Sequence, residues 1–361
     1  MSSKPTVVVA MSGGVDSSVA AALLVEQGYP VIGMMLRLWS ETGSEADNRC
    51  CTPDAMALAR RVAAKLDIPF YAVDVQEQFY DVVVQSFIEG YVQGTTPNPC
   101  VLCNRQIRWG VLLERARAFG ADFMATGHYA RVEHFPDGPN AVTHARLLRG
   151  LDPAKDQSYV LSVLDQEQLR STLFPIGAYP KPEVRELARK FGLPVASRPD
   201  SQDLCFLANT DYRSFLKRHA SQVVQPGQIV DSAGQVVGEH QGLAFYTIGQ
   251  RKGLGIAAPE PLYVLRKEMV SNTLVVGPVT ELGRLDLIAK NVNWIAGRPP
   301  QAPIRAQVKI RYKAAEVSAA VTPLAENGAS VVFEHPLRDI TAGQRVVFYQ
   351  DEVCLGGGTI T

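Results

Sequence analysis

A chain of 361 residues and 39.3 kDa exceeds the usual size of a single core, so two or three domains are expected and a lone small module is excluded. Apolar residues at 46% and charged residues at 20% exclude a disordered or low-complexity chain. Lys and Arg together number 36, as do Asp and Glu, so net charge supplies no basic footprint and leaves the partner open.

The start, Met1-Ser2-Ser3-Lys4-Pro5, holds no apolar signal-peptide core, and no apolar run approaches the roughly 18 residues of a membrane span. Cytoplasm is the expected compartment, with no membrane partner. Thr6–Met11 reads as a strand, Val15–Gln27 as a helix stopped by Gly28, and Pro30–Trp39 as a second strand. Pro53–Leu66 puts Ala59, Val62, Ala63 and Leu66 on one helical face, Ile68–Asp74 reads as a strand, and a helix over 104–120 leads into the strand Ala121–Thr126. Strands alternating with helices predict an α/β domain with a doubly wound parallel sheet, its ligands lying beyond the carboxyl ends of the strands.

Phe135–Asn140 is dense in turn residues and reads as a surface hairpin. Lys181–Phe191 reads as a helix and 198–206 as a polar loop, so the sheet domain is expected over 1–209. Residues 210–285, Gly-rich and mixed, read as a small middle domain. From 286 onward the period becomes two: Ile304, Ala306, Val308, Ile310 and Tyr312 alternate with Arg305, Gln307, Lys309 and Arg311. With Val317–Val321, Ser330–His335, Arg345–Gln350 and Val353–Leu355, this predicts a C-terminal β-barrel over 286–361.

The strongest chemical signal is Ala10-Met11-Ser12-Gly13-Gly14-Val15-Asp16-Ser17-Ser18, set where a strand turns into a helix. Backbone N–H groups there point outward and, with the helix dipole, favour an anion. Ser12, Ser17 and Ser18 add hydroxyl donors, and Asp16 suits either a magnesium ion or a helix cap. An ordinary capped glycine turn is the plain alternative. Neither a P-loop Gly-Lys-Ser/Thr nor a GxGxxG appears in it. These residues resemble the pyrophosphate-binding loop of ATP pyrophosphatases of the adenine-nucleotide α-hydrolase type, the PP-loop enzymes, which adenylate an oxygen and release pyrophosphate.

Thr96-Pro97-Asn98-Pro99-Cys100-Val101-Leu102-Cys103-Asn104-Arg105 is the second signal. Cys103 is expected where the following helix begins, where unpaired N–H groups favour thiolate, and Arg105 adds charge nearby, so a nucleophile fits. The alternative makes Cys100 and Cys103 half of a four-ligand zinc site, for which no second x2-spaced pair is present. Cys205, in Ser201-Gln202-Asp203-Leu204-Cys205-Phe206, reads on its own as a buried small hydrophobe, as do Cys354, Cys50 and Cys51.

Together, Ser12–Ser18, Asn98–Asn104, Gly127-His128-Tyr129-Ala130-Arg131, Lys155-Asp156-Gln157-Ser158-Tyr159 and Asp203–Phe206 closely resemble the bacterial tRNA-specific 2-thiouridylase family. The likeness continues through Phe245–Leu254, Val308–Tyr312, Gly343–Tyr349 and Cys354–Gly358 and so spans nearly the whole chain. It implies a PP-loop domain, a middle domain and a barrel, and an ATP-dependent, magnesium-assisted thiolation at C2 of the wobble uridine of tRNA, with release of AMP and pyrophosphate. Adenylation turns a poor leaving oxygen into a good one, and a sulfur nucleophile then displaces AMP.

By the same resemblance, Cys205 carries a persulfide and Cys103 is the catalytic nucleophile, the two forming a transient disulfide. Ala10, Met11, Ser12, Gly13, Gly14, Val15, Asp16, Ser17, Leu36 and Gly127 surround ATP. Asn98, Pro99 and Cys100 meet the target base, and His128, Lys155, Asp156, Gln157, Arg311, Tyr312 and Gln344 contact tRNA. The implied partners are wobble-uridine tRNAs, such as those for Lys, Glu and Gln, and a sulfur donor, either a persulfide protein or a cysteine desulfurase. Cys100 stands where the family's more familiar pattern has Asp, which opens a second sulfur route: a [4Fe-4S] cluster on Cys100, Cys103 and Cys205. Rival readings are an amide-forming ATP pyrophosphatase, which has no use for both Cys103 and Cys205, and an RNA-binding module with an inactive nucleotide loop.

Overall fold

Val7, Val8 and Val9 expose no surface, as a central parallel strand covered on both faces requires. They belong to β1 (Val7–Ala10), in a computed structural model that describes residues 4–41, 52–135, 144–199, 204–207 and 210–361. Cys50, Cys51, most of the turn at Phe135–Asn140, and Ser201–Asp203 lie outside the described residues. From β1 the chain alternates through α1 (Val15–Glu26), β2 (Val31–Arg37), α2 (Pro53–Lys65) and β3 (Phe70–Asp74). Two long helical runs follow, α3 (residues 76–92) and α4 (residues 99–118), each with a π-helical stretch, before β4 (Phe123–Thr126). The hairpin β5 (Ala130–Phe135) and β6 (His144–Arg149) precedes a short β7 (Thr172–Leu173) and the helix α5 (Lys181–Lys190).

The sheet runs β3-β2-β1-β4-β7 with every pairing parallel. Ala10 stands level with Met34 on one side and Thr126 on the other, so the carboxyl ends of β1, β2 and β4 share one edge. The chain moves outward through β2 and β3 and then returns to place β4 on the opposite flank of β1. That reversal opens a crevice at the ends of β1 and β4. Ala20, Ala21 and Ala22 let α1 sit close to the sheet, packed with Val184 and Ala188 of α5. Thr52 caps α2 by accepting from the Ala55 N–H at 2.9 Å, with Pro53 in its first turn.

After α6 (Tyr212–His219), the strands β8 (Gly227–Val230), β9 (Val236–His240), β10 (Tyr263–Glu268) and β11 (Thr273–Gly277) form a separate sheet in the order β10-β11-β8-β9. The C-terminal strands are β12 (Arg284–Trp294), β13 (Ile304–Lys309), β14 (Val317–Leu324), β15 (Gly328–Leu337), β16 (Arg345–Gln350) and β17 (Val353–Ile360). They run β12-β15-β14-β13-β16-β17, and a β12–β17 pairing closes the ring into a six-stranded barrel. Ala306, Val308 and Ile310 are buried inside while Arg305 and Gln307 are exposed, the alternation read from the sequence.

Two expectations are corrected. The strands flanking Phe135–Asn140 do pair as a hairpin, from Ala130–Arg149 to Phe135–His144, but they do not lie free on the surface: β6 also pairs with β17 at Leu147–Cys354 and Leu148–Val353. Ala145 and Leu147 are buried with Val347 and Tyr349, so the hairpin is the seam joining the barrel to the parallel sheet. The second correction concerns α4, which starts before Cys103. Asn98 is its N-cap, its side chain accepting from the Val101 N–H at 3.4 Å, and Pro99 supplies the pre-set first position. Cys100 therefore stands in the first turn and Cys103 one turn in.

Candidate active site

The loop after β1 turns sharply because Gly13 takes φ +69° and leaves no room for a side chain: a Cβ there would lie 2.3 Å from the Ala55 carbonyl oxygen of α2. The Ser12 N–H donates to Ser17 Oγ at 3.2 Å, closing the loop on itself. Gly14 caps α1 without a side-chain hydrogen bond, so the first-turn N–H groups are left for an anion. Ser18 is not among the hydroxyls facing it, since its buried Oγ donates to the Gly14 carbonyl at 2.7 Å. Gly127, following β4, lies hard against this turn, where a Cβ would fall 2.5 Å from Ser17 N.

These elements wall a cavity of about 510 Å³. Ala10, Met11, Ser12, Gly14, Val15, Asp16, Ser17, Leu36 and Gly127 line it, and Gly13 lies behind, its carbonyl accepting from Arg198 Nη1 at 2.8 Å. Among the described residues its lining holds five cations, Arg108, Lys155, Lys181, Arg198 and Lys313, and one carboxylate, Asp16. Such a balance selects a polyanion. Asp16 Oδ1 accepts from Lys181 Nζ at 2.6 Å and from Tyr129 Oη at 2.8 Å, so a ring and a lysine hold it rather than a capping role. Sequence reasoning assigned no site role to Arg108, Tyr129, Lys181, Arg198 and Lys313, because no local spacing links the segments that carry them to the β1 turn.

The residues expected at tRNA divide between the cavity and the joints around it. His128, Lys155, Gln157 and Tyr312 line the cavity. Gln157 accepts from the Tyr129 N–H at 2.9 Å, and His128 is buried beside Arg108 at 2.9 Å and Thr126 Oγ1 at 2.7 Å. Burial first, and then the Arg108 cation, hold the His128 imidazole well below its ordinary pKa. Asp156 is buried, accepting from the Gly150 N–H at 2.9 Å and Ser158 Oγ at 2.9 Å. Arg311 donates to Thr341 Oγ1 at 2.6 Å and to the Ile248 carbonyl at 3.3 Å. Gln344 donates to the Thr96 carbonyl at 2.8 Å.

Cys100 is exposed and close enough to Tyr312 to help burial and Asp156 raise that phenol's pKa. Pro99 is buried beneath it. Cys103 is buried and Cys205 half-buried, and both pack into one apolar cluster with Phe206 and Tyr91. Among the described residues no three His, Cys, Asp or Glu side chains are grouped to hold a metal ion. Cys354 is buried in β17, and burial pushes its thiol up to about 12. No helix among the described residues is long and apolar enough to cross a membrane.

Residues 5–209 match the family model described as the tRNA methyl transferase HUP domain, 213–278 its PRC-barrel domain, and 284–360 the aminomethyltransferase beta-barrel domain. A tRNA-specific 2-thiouridylase MnmA of Heliobacterium modesticaldum is 48% identical over 360 residues, covering 99% of this chain and 92% of that protein. The chain belongs to the tRNA-specific 2-thiouridylase family. Relatives with the same name from Geotalea uraniireducens and Roseiflexus castenholzii are 49% identical over 359 residues and 47% identical over 365, each covering 98% of this chain. Coverage of those proteins is 94% and 98%, so the relationship includes all three parts of the fold.

Proposed function

We propose that this chain thiolates C2 of the wobble uridine of tRNA at the expense of ATP. The observation that carries the reading is the polycationic cavity at the β1–β4 switch point, set beside the helix that bears Cys100 and Cys103. The uridine O2 attacks the α-phosphorus, and pyrophosphate departs into the cations and the first turn of α1. The terminal sulfur of a persulfide on Cys205 then attacks C2 and AMP leaves. The Cys103 thiolate attacks Cys205 Sγ, breaking the persulfide S–S bond; sulfur stays on C2 and a Cys103–Cys205 disulfide remains, to be reduced by a thiol. Placement of both cysteines in one apolar cluster supports this pairing.

Asn98, Pro99 and Cys100 would face the flipped base, and Lys155, Arg311, Tyr312 and Gln344 the RNA around it. A magnesium ion carried by the nucleotide's phosphates would meet the Asp16 carboxylate and would shield phosphate charge. A methyl-transfer reading, which the family model's description invites, conflicts with the electrostatics: a sulfonium methyl donor is itself a cation, and five cations line the cavity.

The test is tRNA thiolation and pyrophosphate release measured together. Cys103→Ser and Cys205→Ser are expected each to abolish thiolation while pyrophosphate release and tRNA affinity persist. Full thiolation by either variant refutes the sulfur assignment, and a wild type that releases no pyrophosphate with tRNA refutes the adenylation.

A further inference from the structure

Two donors converge on one oxygen of Asp16: Lys181 Nζ at 2.6 Å and Tyr129 Oη at 2.8 Å both reach Oδ1. Among the described residues Oδ2 accepts from none, and Asp16 lines the cavity with its side chain 33% exposed. One oxygen is pinned and the other is left to a ligand. Lys181 Nζ also stands over the Tyr129 ring, 5.6 Å from its centroid, so the two donors brace each other.

Neither donor is placed by its own element alone. Pro180, the N-cap of α5, has no side chain able to cap, so the Lys181 N–H in the first turn is met by Asp152 Oδ2 at 3.0 Å. Asp152 Oδ1 accepts from the Ala154 N–H at 3.0 Å and the Asp152 carbonyl from the Lys155 N–H at 3.1 Å, closing a turn. At the far end of the same loop Gln157 grips Tyr129 twice. Its Oε1 accepts from the Tyr129 N–H at 2.9 Å, and its N–H donates to the Tyr129 carbonyl at 2.8 Å. Gly150 lets the loop press against that carbonyl, since a Cβ there would lie 2.6 Å from the oxygen. Asp16, Lys181, Asp152, Gln157 and Tyr129 therefore close a ring in which the loop over 152–157 is the strut.

We propose that Asp152 and Gln157 are positioning residues for the nucleotide's magnesium ion: by fixing Lys181 and Tyr129 they fix the Asp16 carboxylate, whose other oxygen meets the cation. This rests on the nucleotide reading above and gives Gln157 a role on the nucleotide side instead of at the RNA. Loss of an outer group that orients a metal-binding carboxylate typically lowers metal affinity by about 10- to 100-fold. The effect therefore belongs in magnesium dependence, where a purely structural role would not confine it.

The experiment measures equilibrium binding of α,β-methylene ATP to the full chain by calorimetry, across a magnesium series and in EDTA, so that no turnover is needed. Tyr129→Phe, which removes one hydroxyl, is expected to raise the half-saturating magnesium concentration by about tenfold, and Asp152→Ala and Gln157→Ala each by about three- to tenfold. Affinity in EDTA should match wild type in all three. Asp152→Asn, which keeps one acceptor oxygen, should lose less and carries the test if Asp152→Ala does not fold. In an Asp16→Asn background the same changes should have no further effect, because they act through that carboxylate. An unchanged magnesium dependence in Tyr129→Phe and the Asp152 variants, or a loss of equal size in EDTA or in the Asp16→Asn background, overturns this assignment and leaves the nucleotide site in place. A wild type that does not bind the analogue, or binds it no better with magnesium than in EDTA, overturns the underlying reading and this assignment with it.

Discussion

Gly127→Ala tests whether the contact between β4 and the first turn of α1 sets the anion site. The added Cβ would fall 2.5 Å from Ser17 N, 2.7 Å from Asp16 C and 2.9 Å from Ser17 Cα, all backbone atoms that no rotamer change can move aside. Ordinary contact begins near 3.4 Å, so the first turn of α1 must retreat by about 0.9 Å from the end of β4. Overpacking of this kind costs about 1–3 kcal/mol of stability. A displacement near 1 Å at a positioning element costs on the order of 10²-fold in rate. The expected outcome is therefore a roughly 100-fold fall in kcat/KM for ATP in pyrophosphate release, with a lower melting temperature. Gly110→Ala is the control: its Cβ would meet only Arg105 O at 3.6 Å, so it should leave kcat/KM unchanged and stabilise by about 0.5–1 kcal/mol. Wild-type kcat/KM and melting temperature in Gly127→Ala would refute the reasoning.

Lys155→Ala separates two roles for a residue that lines the cavity. If Lys155 holds a tRNA phosphate, the slope of log affinity against log salt should shrink by about 0.7–0.9, with KM for ATP unchanged; a raised KM with the same slope assigns it to the nucleotide. His128 predicts an acid limb in stability. Its folded pKa is depressed, so below about pH 6.5 the unfolded chain binds a proton that the native state refuses, and stability falls as pH falls, by up to about 1.4 kcal/mol per pH unit. His240, also lowered by burial, adds to this limb. Urea unfolding at stepped pH should show a shallower limb in His128→Phe, and an identical limb would count against a buried neutral imidazole.

What the sequence disclosed is what local pattern encodes. A valine run, a glycine turn and an alanine-rich helix are neighbours in the chain, so the β1–α1 turn is readable before any tertiary contact is known. The alternation of Ile304 through Tyr312 likewise announced a half-buried strand. Closure of the barrel through the β12–β17 pairing was not encoded that way, nor was the seam between β6 and β17. Both depend on residues separated by tens to hundreds of positions. The helix α4 starts at Pro99, before the expected position near Cys103, and an Asn cap followed by Pro is the local signal that marks it. Four of the five cations lay outside every motif, and Lys181 meets Asp16 across 165 positions.

The same long-range contacts constrain how Arg311 and Gln344 act. Thr96 is held twice by the barrel: its N–H donates to the Ala342 carbonyl at 2.9 Å and its carbonyl accepts from Gln344 Nε2 at 2.8 Å. Gly343 sits against it, with Thr96 N only 2.9 Å from where a Cβ would stand. Two residues further along the chain, Asn98 caps the helix that carries Cys100 and Cys103. Arg311, through Thr341 and the Ile248 carbonyl, ties the same barrel rim to the middle domain. Each net hydrogen bond of this kind is worth about 0.5–1.5 kcal/mol, and leaving a buried carbonyl unmet costs about 1–3 kcal/mol. Loosening this rim would therefore loosen the loop that leads into the helix of Cys100 and Cys103, so the barrel, the middle domain and that helix share one support.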